Sequence, residues 1–369
     1  MLAIKKEPWE TTVVVAMSGG VDSSVVAAML QEAGYKVIGI TLQLYDHGMT
    51  LGKKGACCAG QDIYDAQMVA AKLGIPHYVL DYENRFKEQV IDDFADSYLR
   101  GETPLPCVRC NQSVKFKDLL KMARELGADG LATGHYVQRI DGSGGPELHK
   151  GLDPNKDQSY FLFATEKDQL DFLHFPLGAQ NKDETRKIAQ KFGLEVADKP
   201  DSQDICFVPD GSYAKLVTKL RPEAAKPGKI MHIDGYEVGQ HEGLVNYTIG
   251  QRKGIGGGYA QSLYVIRVDV IENIVYVGPD SALHSAEFVI KELNWLGSGD
   301  LPEDGLDVAV KIRSTQNAVC AKLHPLEDGT MKIRLLEPTR AVTPGQACVI
   351  YDGNRVLGGG WIVRNKNQE

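Results

Sequence analysis

Apolar and polar positions follow two different textures along the chain. Up to about residue 200, short β-branched runs (Thr12 to Ala16, Lys36 to Leu44, His77 to Asp81, Gly130 to Thr133) are separated by segments with apolar residues at helical spacing. Strands alternating with helices predict an α/β fold with a parallel sheet covered by helices. Gln61 to Leu73 reads as a helix stopped by Gly74 ahead of Ile75-Pro76, and Ser113 to Leu126 as another stopped by Gly127.

Beyond about Pro200 the runs YVIRVDV, NIVYVG, DVAVKI, MKIRLLE and ACVIYDG have strand length, with Gly, Pro, Asn and Asp between them. We divide the chain into 1–201, a parallel-sheet domain with a helical connecting region from about Lys156; 202–280, a small central β-rich domain; and 281–369, a C-terminal β-barrel. GSGG (142–145) and GIGGG (254–258) read as turns, and no tandem repeat is present.

At 369 residues and 43% hydrophobic composition, several domains are expected. No run approaches a membrane span and the start holds no stretch of signal-peptide type, which predicts a cytoplasmic protein with no membrane partner. Seven cysteines, an odd number, argue for reduced thiols rather than a secreted disulfide framework. A net charge of -8 excludes a uniformly basic nucleic-acid coat, so any RNA surface must be local.

The strongest chemical feature is VVVAMSGGVDSSVVAAML, a strand running through Ser18-Gly19-Gly20-Val21-Asp22-Ser23-Ser24 into a helix. Glycines allow the backbone amides to approach a polyphosphate, and the helix aims its positive end at the same anion. The lysine of a Walker A loop is missing, so backbone and hydroxyl groups should hold the phosphates. Asp22 fits either a magnesium role or a helix cap. Leu42, at the end of the second strand, and Thr133-Gly134-His135-Tyr136, after a later one, lie where open parallel sheets bind ligands. The loop resembles the pyrophosphate loop of the ATP pyrophosphatase superfamily, whose members adenylate an oxygen and release pyrophosphate.

Cys107-Val-Arg-Cys110-Asn111 follows the stiff segment Thr103-Pro104-Leu105-Pro106, and Cys206 lies nearly a hundred residues further on. Two thiols remote in sequence but convergent in space suit sulfur transfer, one carrying a persulfide and the other resolving it. Taken alone, Cys-x-x-Cys fits a buried pair or half a zinc site equally well.

As an ordered set, SGGVDSS, GETPLPCVRCNQSVKF, LATGHYV, KDQSYFL, KPDSQDICFV, YTIGQRKG and TPGQACV resemble the bacterial tRNA-specific 2-thiouridylase family over nearly the full length. The resemblance implies ATP-dependent 2-thiolation of the tRNA wobble uridine (U34), through an adenylated base and a cysteine persulfide, with release of AMP and pyrophosphate. It implies ATP contacts at Ala16, Met17, Ser18, Gly19, Gly20, Val21, Asp22, Ser23, Leu42 and Gly134. Cys110 becomes the catalytic cysteine and Cys206 the persulfide carrier, linked as a disulfide after turnover. His135, Lys156, Asp157, Gln158, Arg313, Ser314 and Gln346 match tRNA contacts. Implied partners are a tRNA bearing a wobble uridine and a persulfide donor, either a cysteine desulfurase or a sulfur-relay protein; implied cofactors are ATP and Mg2+.

Where the family carries an aspartate three residues before the catalytic cysteine, this chain carries Cys107, a candidate third thiol that Arg109 could favour as thiolate. The change opens a second route, in which Cys107, Cys110 and Cys206 ligate an iron–sulfur cluster that delivers sulfide. Cys57-Cys58, in LGKKGACCAG, look like a local insertion covering the ATP site. Lys115, Lys117, Lys121 and Arg124, then Lys215, Lys219, Arg221, Lys226 and Lys229, with Tyr247, Arg252 and Lys253 beyond, are local basic groups suited to RNA or to solvated surface. Two rivals remain: a ligase of the same superfamily adenylating a small molecule, and a noncatalytic RNA-binding or iron–sulfur sensor protein.

Overall fold

The computed structural model describes residues 2–45, 58–201, 205–208, 211–256 and 261–364. The expected insertion around Cys57 and the Ser202-Gln203-Asp204 stretch lie outside them. The chain forms two compact units, Met1–Val90 with Cys107–Phe207 and Asn354–Val356, and Ile91–Pro106 with Val208–Gly353 and Leu357–Glu369.

The first unit is built on β1 (Thr12–Ala16), α1 (Val21–Glu32), β2 (Lys36–Gln43), α2 (Cys58–Leu73) and β3 (His77–Asp81). It continues through α3 (Leu120–Glu125), β4 (Gly130–Ala132), the hairpin β5 (Val137–Gly142) and β6 (Gly145–Lys150), β7 (Leu173–His174) and α4 (Lys182–Lys191). The sheet order is β3-β2-β1-β4-β7, with every pairing parallel. Val13, Val14 and Val15 are fully buried, which is why β1 reads as an unbroken β-branched run rather than an alternating one. α1 buries Val25, Val26, Ala27, Ala28 and Leu30 against the sheet, each large side chain contributing about 1.5–3 kcal/mol. Successive strands are added to one side of β1 and then to the other, so the switch point falls between β1 and β4.

The sequence predicts one α-helix over Ser113 to Leu126. The structure instead has a wider π-helical stretch, Cys110–Leu119, running into α3. Gly127, at φ 72°, ends it as expected. The predicted helical connection from Lys156 to Asp201 is mostly short turns, with α4 its longest helix. α4 starts at a capping box in which Asn181 and Glu184 exchange bonds with each other's backbone nitrogens.

In the second unit α5 (Tyr213–Leu220) precedes a four-stranded sheet of β8 (Gly228–His232), β9 (Glu237–His241), β10 (Tyr264–Asp269) and β11 (Ile274–Gly278), in the order β10-β11-β8-β9. Ile230, Val265, Val268, Val275 and Val277 form its core. β12 (His284–Trp295), β13 (Leu306–Lys311), β14 (Val319–Pro325), β15 (Met331–Arg340), β16 (Ala347–Asp352) and β17 (Arg355–Ile362) follow, in the order β12-β15-β14-β13-β16-β17. β17 pairs back to β12, closing a six-stranded barrel without free edges. Phe288, Ile290, Val310, Leu323, Ile333 and Ile350 fill it. The α/β fold class, the small β-rich region and the barrel are those expected from sequence.

Candidate active site

The nucleotide loop leaves β1 at the switch point. The Met17 nitrogen donates to the Ile40 carbonyl (2.8 Å), and the Thr41 hydroxyl donates to the Met17 carbonyl (2.8 Å). With its hydrogen so committed, the Thr41 oxygen accepts from His77 Nε2, 2.8 Å away. Gly19 has φ 74°, and a β-carbon there would lie 2.1 Å from the Asp62 carbonyl oxygen, so only glycine fits. The Ser18 nitrogen donates to Ser23 Oγ (3.1 Å), and Ser24 Oγ donates to the Gly20 carbonyl (2.8 Å). Gly20 is the N-cap of α1 and offers no side-chain cap, leaving first-turn amides for an anion.

Asp22 is therefore not the cap. It lies in the first turn of α1, where Lys182 Nζ donates to both its oxygens (2.7 and 2.9 Å) and the Tyr136 hydroxyl to one of them (2.8 Å). A magnesium ion could use this carboxylate only after exchanging Lys182.

The β4 loop forms the facing wall. A β-carbon on Gly134 would stand 2.8 Å from the Ser23 nitrogen, so this glycine lets the two loops touch. Half-buried Leu42 lies near the end of β2. The ATP residues expected from sequence, Ala16 to Ser23, Leu42 and Gly134, thus lie on adjoining strand ends of one sheet. His135 Nδ1 is hydrogen-bonded to Thr133 Oγ1 (2.9 Å), and its ring meets Phe116 edge-on. Burial, and then the Lys115 charge, push its pKa down to about 3.

Three cations that the sequence reading left without a role surround the loop. Lys182, with a side chain only 10% exposed, also reaches Asp201 (2.8 Å), which takes further bonds from Lys156 (2.7 Å) and Arg186 (3.4 Å). Burial opposes ionisation of Asp201, but its lysine partners hold the carboxyl below its ordinary range. Lys199 donates to the Gly19 carbonyl (3.0 Å), Asp62 (2.7 Å) and Asp65 (2.5 Å). Their pattern in the sequence is that of a solvated helix and loop; Asp22, which Lys182 holds, and the partners of Lys199 lie more than a hundred residues away. Asp157 accepts from the Gly151 and Ser159 nitrogens, and Gln158 Oε1 from the Tyr136 nitrogen (2.9 Å), so both shape the turn beside the site.

Cys110 is buried at the start of the π-helical stretch, while Cys107 and Cys206 are exposed, and all three are free thiols. Although Cys206 is exposed, desolvation by the surrounding protein, followed by the neighbouring Cys110 and Cys107, raises its thiol pKa; the Lys115 charge and a hydrogen bond from Tyr45 oppose this. Burial also raises Cys110, against the opposing charge of Lys115. The three sulfurs are therefore electrostatic neighbours, and the cation bearing on Cys110 and Cys206 is Lys115; Arg109, expected to act on Cys107, donates to Gln112. Among the described residues no group of three His, Cys, Asp or Glu side chains could hold a metal ion. Beside Cys110, Asn111 is buried and its Oδ1 has no hydrogen-bond partner.

In the second unit, Arg313 donates to the Ala341 carbonyl (3.0 Å), and the Gln346 nitrogen donates to the Thr343 carbonyl (3.2 Å). Arg313, exposed Ser314 and Gln346 therefore gather around the turn after β15. Gln346 Nε2 also donates to the Thr103 carbonyl (2.9 Å). Of the second basic group, Arg221 is paired with Asp92 and Asp96, and Lys229, in β8, with Glu237.

A parallel sheet with a glycine–serine loop at its switch point, followed by a closed β-barrel, defines a nucleotide-loop α/β protein with an appended barrel module. Three family models match in order: a tRNA methyl transferase HUP domain over 11–210, a tRNA methyl transferase PRC-barrel domain over 216–279, and an aminomethyltransferase beta-barrel domain over 285–362. The chain is 67% identical over 356 residues to tRNA-specific 2-thiouridylase MnmA of Rickettsia bellii (strain OSU 85-389), covering 96% of this chain and 97% of that one. It is 66% identical over 355 residues to the protein of the same name from Rickettsia conorii, covering 96% of each. The chain belongs to the tRNA-specific 2-thiouridylase family. A solved 4-thiouridine synthetase–RNA complex with bound ATP is 16% identical at TM-score 0.38 over 58% of this chain and 51% of that one, too loose a likeness to bear on function. Among the described residues no helix is long and apolar enough to cross a membrane.

Proposed function

We propose that this chain uses ATP to replace O2 of the tRNA wobble uridine with sulfur. The observation that carries the reading is the pairing, within one unit, of an anion-ready loop at the sheet switch point with the interacting thiols Cys110 and Cys206. The family-model descriptions speak of methyl transfer and the relatives' names of thiolation. Two interacting thiols suit sulfur transfer, in line with the relatives' names.

In this reading uridine O2 attacks the α-phosphate of ATP, pyrophosphate leaves, and the oxygen becomes part of a good leaving group. The loop amides and the nearby lysines stabilise phosphate charge, a role requiring no protein nucleophile. The terminal sulfur of a Cys206 persulfide attacks C2 and AMP departs, leaving the base joined to Cys206 through a disulfide. Cys110 attacks the Cys206 sulfur and frees the 2-thiouridine; an external reductant then reduces the Cys110–Cys206 disulfide. The uridine must leave the anticodon stack to reach the site. Mg2+ would ride on the ATP phosphates. His135, Lys156, Asp157 and Gln158 in the first unit, and Arg313, Ser314 and Gln346 in the second, are the proposed tRNA contacts. The three matched segments support the division into nucleotide-loop, central and barrel domains.

The test is pyrophosphate release. It should require unmodified tRNA with a wobble uridine; release driven by a small metabolite without tRNA would instead make the chain a ligase.

A further inference from the structure

The nucleotide loop lacks a lysine of its own, yet an ammonium stands at its helix end, delivered from the start of α4. Lys182 Nζ lies 2.7 Å from Asp22 and 2.8 Å from Asp201, so one cation is shared by two carboxylates. One carboxylate sits in the first turn of α1, where a polyphosphate would approach. The other begins the segment that leads to Cys206, five residues later in sequence. Asp201 has two further cations, Lys156 on its other oxygen and Arg186 on the oxygen that Lys182 holds, so it stays paired when Lys182 leaves. Asp22 would retain Tyr136 as donor and be free to receive an ion that comes with the nucleotide.

We propose that Lys182 is a polyphosphate-binding residue that ATP draws away from Asp22 and Asp201, so that occupancy of the nucleotide loop changes the hold on the segment carrying Cys206. Lys199 anchors the chain two residues before Asp201, bonding the Gly19 carbonyl, Asp62 and Asp65. A cation already held by two carboxylates is oriented before the ligand arrives, and its transfer to phosphate needs no new charge to be buried. The arrangement would report the presence of ATP to the sulfur-carrying thiol. The proposal rests on the reading of the loop as an ATP site.

Two quantities test it: ATP affinity, and the rate at which iodoacetamide labels Cys206, followed by peptide mapping with and without Mg-ATP. In the wild-type chain ATP and α,β-methylene-ATP should change the labelling rate at least threefold and AMP should not; an unchanged rate overturns the coupling. Lys182→Met should weaken ATP binding by roughly tenfold or more and abolish the change, while Lys182→Arg, which keeps the charge and guards against misfolding, should retain most of both. Asp201→Asn should still bind ATP but lose the change. If the change persists in Asp201→Asn, ATP merely shields Cys206 and the proposal falls. If Lys182→Met binds ATP as tightly as wild type, Lys182 is not a phosphate ligand. A wild-type chain that binds no ATP would sink the loop assignment together with this inference, an outcome distinct from the other two.

Discussion

Gly134 and the backbone of Ser23 are in such close approach that a β-carbon on the glycine would stand 2.8 Å from the Ser23 nitrogen. The loop after β4 is thereby pressed onto the first turn of α1, and the two edges of the nucleotide site are held together by the absence of a side chain. Gly134→Ala must push them apart. We expect a stability loss of about 1–3 kcal/mol, as for overpacking elsewhere, and a fall in ATP affinity on the order of tenfold. Urea unfolding and nucleotide titration of the same variant check both, and unaltered affinity would place the nucleotide elsewhere.

The resting thiols are poor nucleophiles. With Cys206 pushed up to about 12, its thiolate is on the order of one part in 10⁵ at pH 7. Thiolate grows as pH rises, so labelling of Cys206 without ATP should climb about tenfold per pH unit through pH 10, where an ordinary thiol near 8.5 has levelled off. A plateau by pH 9 would show that this exposed thiol titrates in the ordinary range. Cys206→Ser should abolish thiolation while leaving ATP binding within about twofold of wild type, because its role is to carry sulfur.

Acid should weaken the fold through two histidines. Burial, then the Arg139 charge, push buried His174 down to about 4, and His135 lies at about 3. Both folded values are below the unfolded value near 6.5. Stability is therefore complete above that value and is lost as pH falls, because the unfolded chain takes up protons that the folded chain refuses. The urea midpoint should drop between pH 7 and pH 5, and His174→Asn should flatten that drop. An unchanged slope in the variant would show that His174 ionises freely in the folded state.

On the barrel, Arg313 is fixed by the Ala341 carbonyl and Thr343 Oγ1. Arg313→Ala should weaken tRNA binding and lower the salt-dependence slope by about one, while Arg313→Lys keeps the slope. Equal slopes for wild type and Arg313→Ala would remove this residue from the tRNA surface.

What could be read from the sequence, and what could not, divides by the range of the interactions. Thr12–Ala16 ends where its run of strand-forming residues ends, because burial of a parallel strand writes itself into consecutive positions; the edge strand His77–Asp81 also matches its run, though none of its residues is buried. The glycine loop was equally legible, since tight backbone approach demands particular residues in a row. The π-helical stretch Cys110–Leu119 was not: over two or three turns its apolar spacing is hard to distinguish from that of an α-helix. Hairpin strands β5 and β6 hold Gly, Pro and charges in place of clear alternation, and only the turn between them stood out. The Lys182–Asp22 pair joins residues 160 positions apart, and no local pattern announces such a partner. The same holds for Ile91–Pro106, whose Asp92 and Asp96 pair with Arg221 in the second unit. The iron–sulfur option came from counting cysteines; that Cys107, Cys110 and Cys206 act on one another electrostatically needed the fold.

The most direct measurement is anaerobic incubation of the purified chain with unmodified wobble-uridine tRNA, Mg-ATP and a persulfide donor, followed by mass spectrometry of the tRNA nucleosides and of AMP. The account predicts 2-thiouridine and AMP in equal amounts on iron-free protein, with both lost when ATP is omitted. AMP without thiolated tRNA, or thiolation that requires bound iron and free sulfide, would contradict it.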